Sequence, residues 1–168
     1  SISQLGEFGL IRHLTANIRL HQPTSLTAAG DDAAVIGNDG KQTLVSVDLL
    51  VEGVHFDLTY TPLKHLGYKA VAVNISDIAA MNGTAHQIVV GIALSSRFPV
   101  EAVSELYEGM LLACNKYKVD LVGGDTTSST SGLLISITVI GTAKAEEICY
   151  RSGARPGELL CVSGDLGA

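Results

Sequence analysis

Residues 33–48 read AAVIGNDGKQTLVSVD and predict a β-hairpin that delivers a carboxylate. Two short apolar stretches, 33–36 and 43–47, are separated by an Asn-Asp-Gly turn cluster, which is typical of two antiparallel strands. The second strand ends at Asp48, and Asp32 stands immediately before the first. We therefore expect the two acids to meet across the hairpin.

Helices and further strands surround this hairpin in a mixed pattern. An amphipathic helix is expected within the first twenty residues, and proline-initiated helices are expected from Pro62 to Met81 and from Pro99 onward. Apolar runs predict the remaining strands, which cover residues 87–94, 120–122, 134–143 and 159–162. The overall expectation is an α+β domain with a mixed sheet.

Four acids stand where apolar segments meet small or polar residues: Asp32, Asp48, Asp77 and Asp125. Two carboxylates about 4 Å apart repel by about 4 kcal/mol at an effective dielectric constant of about 20, so converging acids need protons or cations between them. Magnesium is the natural hard, oxygen-seeking cation. Each acid also has an ordinary explanation, either as a turn residue or as a buried, hydrogen-bonded side chain.

Other polar groups could bind a phosphate or a substrate. The segment GGDTT (123–127) follows a predicted strand and offers main-chain N–H groups, a carboxylate and hydroxyls. His55 lies in a region with weak structural signals, and Lys69 and Arg151 are the basic candidates for phosphate contact. Taken singly, each is more typical of a tight turn, a packed histidine or a surface charge.

Composition excludes several classes of protein. The 168 residues carry a net charge of -6 with no basic run, which argues against binding to nucleic acid or to an anionic membrane surface. Charged residues make up only 17% and apolar residues 46%, so some apolar surface is expected to meet a partner. Three cysteines without paired spacing and no membrane-spanning run favour a cytoplasmic location. The motifs of P-loop enzymes, protein kinases, serine hydrolases and zinc proteases are all missing from the sequence.

In order along the chain, several segments resemble the thiamine-monophosphate kinases, relatives of aminoimidazole ribonucleotide synthetase and selenophosphate synthetase. The segments are GEF (6–8), GDDAA (30–34), SVD (46–48), VEGVHF (51–56), GYKA (67–70), AVNISDIAAM (72–81), GGDTT (123–127) and RSGARPG (151–157). Each is weak alone, but the ordered set is specific, and VEGVHF indicates the kinase branch.

The resemblance implies a fold and a reaction. The fold is the N-terminal domain of the aminoimidazole ribonucleotide synthetase-like fold, with helices on one face of a mixed sheet that pairs across a homodimer into a barrel. Residues 1–150 would form the ATP- and magnesium-binding dimerisation domain, and residues 151–168 would begin a truncated second domain. The reaction is ATP-dependent phosphorylation of thiamine monophosphate to thiamine diphosphate, with this chain alone inactive because the second half is absent.

The resemblance also implies the site residues. Several magnesium ions would be held by side chains and by one main-chain carbonyl, that of Val47; the other ligands are Asp32, Ser46, Asp48, Asp77 and Asp125. ATP would contact Gly124, Asp125 and Arg151, and His55 would lie beside thiamine monophosphate, with no protein group acting as a catalytic base. Asp31 is less firmly implied than Asp32, and Ser128 stands where the family often has arginine.

Two alternatives remain open. The first alternative to the kinase is a non-catalytic dimerisation and nucleotide-binding module. The second is another branch of the superfamily, such as a hydrogenase-maturation dehydratase or a selenophosphate synthetase-like enzyme. Binding of ATP without turnover would favour the first alternative. An assay for ADP release with thiamine monophosphate would separate the second from the kinase reading.

Overall fold

The computed structural model describes residues 23–27, 31–38, 40–162 and 164. The helices and strands are β1 (Ser25–Thr27), β2 (Ala34–Asn38), β3 (Lys41–Val51), α1 (Leu63–Ala80), β4 (Thr84–Leu94), α2 (Val100–Tyr117), β5 (Asp120–Ser128) and β6 (Leu134–Ala143). Single 3₁₀ turns follow at Ala145–Glu147 and Arg151–Gly153. Pro62 and Pro99 occupy the N-cap positions of the two helices, as their fixed φ favours.

The six strands form one mixed sheet in the order β1-β2-β3-β6-β4-β5. Only β4 and β5 are parallel, and α2 makes the crossover between them. The other neighbouring strands are antiparallel. This arrangement confirms the predicted α+β class and the mixed sheet.

One face of the sheet carries the core. Along β6, Ile135, Ile137 and Val139 are fully buried and alternate with partly exposed residues, which is the pattern of a strand covered on one side. In register with them lie buried residues of the neighbouring strands, Leu50, Ile88, Val90 and Ile92, and Leu44 is buried on the same face of β3. Helix α1 covers this face with Leu66, Val71 and Ile78, and α2 packs on α1.

The opposite face, which we term the open face, carries Val47, Leu49, Val89, Ser136 and Thr138. No helix within the described residues covers it, and Val47 and Leu49 are 57% and 54% exposed. Neither α1 nor α2, nor any other described helix, has the length and apolar character that crossing a bilayer requires.

The two helices cross at a pair of glycines. A Cβ on Gly67 would stand 1.9 Å from the carbonyl oxygen of Leu106, and a Cβ on Gly109 would stand 1.9 Å from that of Lys64. Only glycine allows the two backbones to approach this closely. The crossing therefore fixes α1 closely against α2, and α1 in turn carries residues of the site described below.

Several local predictions need correction. The second hairpin strand is longer than expected, so Asp48 lies inside β3 rather than at its end. The GGDTT segment is part of β5 and not a loop after it, because 123–127 continues the parallel pairing with β4. The run 159–162 forms no strand, and Leu159 and Leu160 are almost fully exposed without packing partners. The helix expected in the first twenty residues lies outside the described residues.

Candidate functional site

The hairpin leaves part of β3 without a strand on one side. Pairing with β2 stops at Ala34 and Val45, so the edge of β3 from Ser46 onward is free of that neighbour. Ser46 and Asp48 have the same parity as the buried Leu44 and Leu50, and therefore face α1. The local topology thus presents a hydroxyl and a carboxylate to the helix at an open strand edge.

Helix α1 contacts these β3 residues with two polar side chains, Asn74 and Asp77, which lie about one turn apart. The Oγ of Ser46 donates a hydrogen bond to the Oδ2 of Asp77 over 2.7 Å. The main-chain N–H of Asp48 donates to the Oδ1 of Asn74 over 3.1 Å. Residues three apart share one helix face, so a single turn of α1 fixes both β3 residues.

Asn74 is the site residue that the sequence analysis did not single out. It is fully buried, and its Nδ2 also donates to the carbonyl of Ala70 over 2.9 Å, so both ends of its amide are satisfied. Its position three residues before Asp77 was the available signal. We assign Asn74 a positioning role for the backbone that carries Asp48.

Asp31 and Asp32 both bind Arg151, which lies close to Asp77. The main-chain N–H of Arg151 donates to both carboxylate oxygens of Asp31, over 3.4 and 3.2 Å. Its guanidinium forms an ion pair with Asp32, using Nε over 3.2 Å and Nη2. Arg151 is therefore a cation seated against the acidic cluster.

The surroundings of Asp77 shift its pKa. Burial raises the pKa of Asp77, the hydrogen bond from Ser46 lowers it, and the nearby charges of Asp48 and Asp32 raise it further. Arg151 acts in the opposite direction but does not cancel the rise. A cation at this position would relieve the repulsion among the carboxylates.

The donor set is compatible with magnesium. It consists of carboxylate and hydroxyl oxygens, the hard ligands that this ion prefers. Among the residues that the structure describes, no three His, Cys, Asp or Glu side chains lie close enough together to hold one ion unaided. Magnesium normally combines one or two carboxylates with water and phosphate oxygens, so the fit requires those additional oxygens.

A small cavity adjoins the cluster between β3 and α1. It has a volume of about 190 Å³ and is lined by Asp48, Leu49, Leu50, His55, Lys69 and Val73. The Nδ1 of His55 accepts a hydrogen bond from the main-chain N–H of Val51 over 3.0 Å, so the neutral ring carries its proton on Nε2. The ammonium of Lys69 donates to the carbonyl of His55 over 3.1 Å.

The structure does not bring Asp125 to this cluster. Asp48 is in register with Ile137, Val90 and finally Gly124, so three strand spacings of about 4.8 Å separate β3 from β5. Asp125 follows Gly124 and therefore lies on the open face, opposite to Asp48. The side chain of Val47 lies on the open face and has no ligand atom, so its main-chain carbonyl is the group that could bind a metal.

The predicted residues consequently divide into two groups. Asp32, Ser46, Asp48 and Asp77 lie together with Arg151, and His55 stands at the adjoining cavity. Gly124 and Asp125 lie apart on the exposed strand β5.

Comparison with known proteins identifies the family. Residues 30–143 match the model for the AIR synthase related protein, N-terminal domain. The chain is similar to the thiamine-monophosphate kinase of Bacillus subtilis, with 40% identity over 165 residues that cover 98% of this chain and 50% of that protein. It is 38% identical to the thiamine-monophosphate kinase of Mycobacterium tuberculosis over 168 residues, covering 99% of this chain and 50% of the relative.

A solved structure agrees in fold. AaThiL complexed with AMPPCP and TMP superposes with a TM-score of 0.80 at 33% identity, over 92% of this chain and 47% of that one. The chain thus spans about half the length of the relatives it matches. Since the family model covers more than half of the sequence, the chain belongs to the family of AIR synthase related proteins, whose N-terminal domain it carries.

Proposed function

We propose that the protein carrying this chain transfers the γ-phosphoryl group of ATP to thiamine monophosphate, giving thiamine diphosphate and ADP. The observation that carries the proposal is the meeting of Asp32, Ser46, Asp48 and Asp77 beside a cavity that contains His55 and Lys69. A metal-binding cluster next to a pocket with hydrogen-bond donors suits a reaction between two phosphates.

The names of the relatives support the same reaction. The curated relatives from Bacillus subtilis and Mycobacterium tuberculosis are thiamine-monophosphate kinases, and AaThiL was solved with AMPPCP and TMP. The chain covers about half of each, so activity and substrates are proposed for the whole protein. This chain by itself is proposed to be inactive.

In this proposal several magnesium ions are held by Asp32, Ser46, Asp48, Asp77 and Asp125, with help from the carbonyl of Val47. Bound magnesium would supply charge neutralisation for the phosphates, which is where most catalysis of phosphoryl transfer lies. Arg151 binds the ATP phosphates once the acids have other counterions, and His55 orients the acceptor through its Nε2 proton. The attacking phosphate oxygen is already ionised at neutral pH, so the site needs no general base.

The nucleotide also involves β5. Gly124 and Asp125 are exposed there, and the missing side chain at Gly123 leaves the strand open to a large ligand. Asp125 lies on the open face, away from the acidic cluster. A site that uses both groups therefore requires a ligand or a second chain that reaches around the edge of the sheet.

A homodimer belongs to the same proposal. The open face exposes Val47, Leu49 and Val89 around the polar Ser136 and Thr138, a surface suited to another sheet. Two such faces would pair into a barrel, with residues 1–150 as the dimerising domain and 151–168 as the beginning of a second one. Sedimentation at micromolar concentration should give a dimer, and a stable monomer would contradict this part.

The three free cysteines support a cytoplasmic location.

The test of the reaction is an assay of the full-length protein with ATP, magnesium and thiamine monophosphate. We expect ADP and thiamine diphosphate in equal amounts, and neither product when magnesium is chelated. Binding of ATP without turnover would indicate a nucleotide-binding module. ADP release that does not depend on thiamine monophosphate but increases with another acceptor would indicate a different branch of the superfamily.

A further inference from the structure

We infer that Lys69 makes the acceptor pocket selective for the phosphorylated form of its ligand. The inference rests on the proposed function, and it assigns a specific role to a residue outside the acidic cluster. Lys69 lies on the turn of α1 before Val73, and both line the same cavity.

The cavity is lined in part by charged and polar side chains. Its lining residues include one carboxylate, Asp48, one ammonium, Lys69, and one imidazole, His55. Within the described part of the chain, Lys69 forms no ion pair, whereas the exposed lysines Lys64 and Lys144 pair with Glu108 and Glu147. Lys69 therefore brings a positive charge to the cavity that no neighbouring carboxylate in this part of the chain neutralises directly.

Hydrogen bonds to the main chain fix which donors of Lys69 and His55 remain free for a ligand. The ammonium of Lys69, a residue that lines the cavity, uses one of its three N–H groups on the carbonyl of His55. Two N–H groups remain for a ligand. His55 also lines the cavity, and its Nε2 proton is a further donor because its Nδ1 already accepts from the N–H of Val51. Donors gathered in this way suit an oxyanion.

The cavity is small. A cavity of about 190 Å³ is smaller than the roughly 300–1,000 Å³ of pockets that enclose a drug-sized ligand. It accommodates one end of an acceptor and not the whole of it. The end of the acceptor that suits the donors on Lys69 and His55 is a phosphate monoester.

The experiment compares thiamine monophosphate with thiamine, which lacks only the phosphate. Calorimetry with the full-length protein in constant magnesium gives the two dissociation constants and their ratio. In Lys69→Met we expect binding of thiamine monophosphate to weaken about tenfold, the lower end expected for losing a charge-assisted hydrogen bond at an exposed position. Binding of thiamine should change little, so the ratio falls.

Two variants control for structure. Lys69→Arg keeps the charge and should keep most of the selectivity. Lys64→Met removes a lysine from the same helix whose ammonium pairs with Glu108 instead, and should leave the ratio unchanged. Thermal unfolding of all three variants verifies that they fold.

The outcomes separate this inference from the proposed function. An unchanged ratio in Lys69→Met overturns the role of Lys69 while the proposed function stands. Equal weakening of both ligands also overturns it, because Lys69 would then only hold the turn that carries His55. If the wild-type protein binds neither ligand, the proposed function fails and this inference fails with it.

Discussion

The acidic cluster between β3 and α1 and the acidic segment of β5 contain similar residue types in opposite surroundings. Ser46 and the main-chain N–H of Asp48 donate hydrogen bonds to Asp77 and Asn74 of α1, a helix that crosses α2 at a pair of glycines. Asp125 lies on an edge strand in which all residues but Leu121 are exposed. Side-chain hydrogen bonds therefore order the first region, whereas none of those found among the described residues involves Asp125.

This difference indicates how the two parts of the proposed phosphate site differ in their roles. The cluster on α1 concentrates negative charge in a partly buried place, which raises the pKa of Asp77 and creates a demand for cations. Strand β5 offers an exposed surface over which a nucleotide can lie, with little electrostatic cost before binding. Substitutions in the two regions should therefore fail in different ways.

The largest effect is expected for Asp77→Asn in the cluster. The change is nearly isosteric, so the fold is retained, but the carboxylate charge is lost. We expect turnover of the full-length protein to fall by at least about 100-fold, as when a main electrostatic group is removed from an active site. Asp120→Asn, at the exposed beginning of β5, is the matched control and should leave turnover unchanged. Unaltered turnover in Asp77→Asn would refute the ligand role.

The second prediction contrasts two neighbouring glycines of β5. A Cβ on Gly124 would stand 1.9 Å from the carbonyl oxygen of Val90, whereas a Cβ on Gly123 meets nothing within 4 Å. Gly124→Ala should destabilise the protein by about 3 kcal/mol because the strand pairing must shift. Gly123→Ala should be nearly neutral for stability. Denaturant unfolding of both variants measures the difference, and equal stabilities would show that β5 is not paired to β4 in this register.

The third prediction concerns Asp125, whose side chain is exposed. Asp125→Asn should change the free energy of unfolding by less than about 0.5 kcal/mol, as is usual for a surface position. We expect the dissociation constant for ATP in magnesium to rise about tenfold, the loss of one charge-assisted contact. Calorimetry with a non-hydrolysable ATP analogue measures this. An unchanged constant would remove β5 from the nucleotide site.

The sequence was informative where a local pattern decides the structure. Proline at the first turn located α1 and α2, and the turn cluster at 38–40 located the hairpin of β2 and β3. The alternation of apolar residues along β6 predicted its bounds, Leu134–Ala143. These features depend on neighbours in sequence, and the period of each element is visible directly.

The sequence was uninformative where distant segments decide. The segment 123–127 has the glycines of a turn, but pairing with β4 extends it into a strand. That same pairing sets the face on which Asp125 lies, and no local pattern encodes it. Asn74 was overlooked because its value lies in a hydrogen bond to Asp48, 26 residues away along the chain. The four acids could be named from sequence, but not which three of them meet.

The smallest effect is expected for the stability of the metal-free protein. Because the pKa of Asp77 is raised above its ordinary value of 3.8 by burial and by Asp48 and Asp32, the folded protein holds this proton more tightly than the unfolded chain. Unfolding then releases a proton, so the contribution of Asp77 to the free energy of unfolding falls as pH rises from about 3.8 through the raised pKa. The amide introduced by Asp77→Asn does not titrate, so the free energy of unfolding of the variant does not fall with pH for this reason.

We therefore expect Asp77→Asn to match the wild type at acidic pH and to be slightly more stable at neutral pH without magnesium. The gain should be under about 1 kcal/mol, because Asp77 is only partly buried and solvent screens its charge. Unfolding temperatures measured across this pH range in metal-free buffer give the comparison, with Asp125→Asn as the exposed control that should show no such gain. Added magnesium should reverse the order by stabilising the wild type alone. A variant that is less stable than the wild type at neutral pH without metal would mean that the Ser46 hydrogen bond outweighs the carboxylate repulsion, and that the cluster places no demand for a cation.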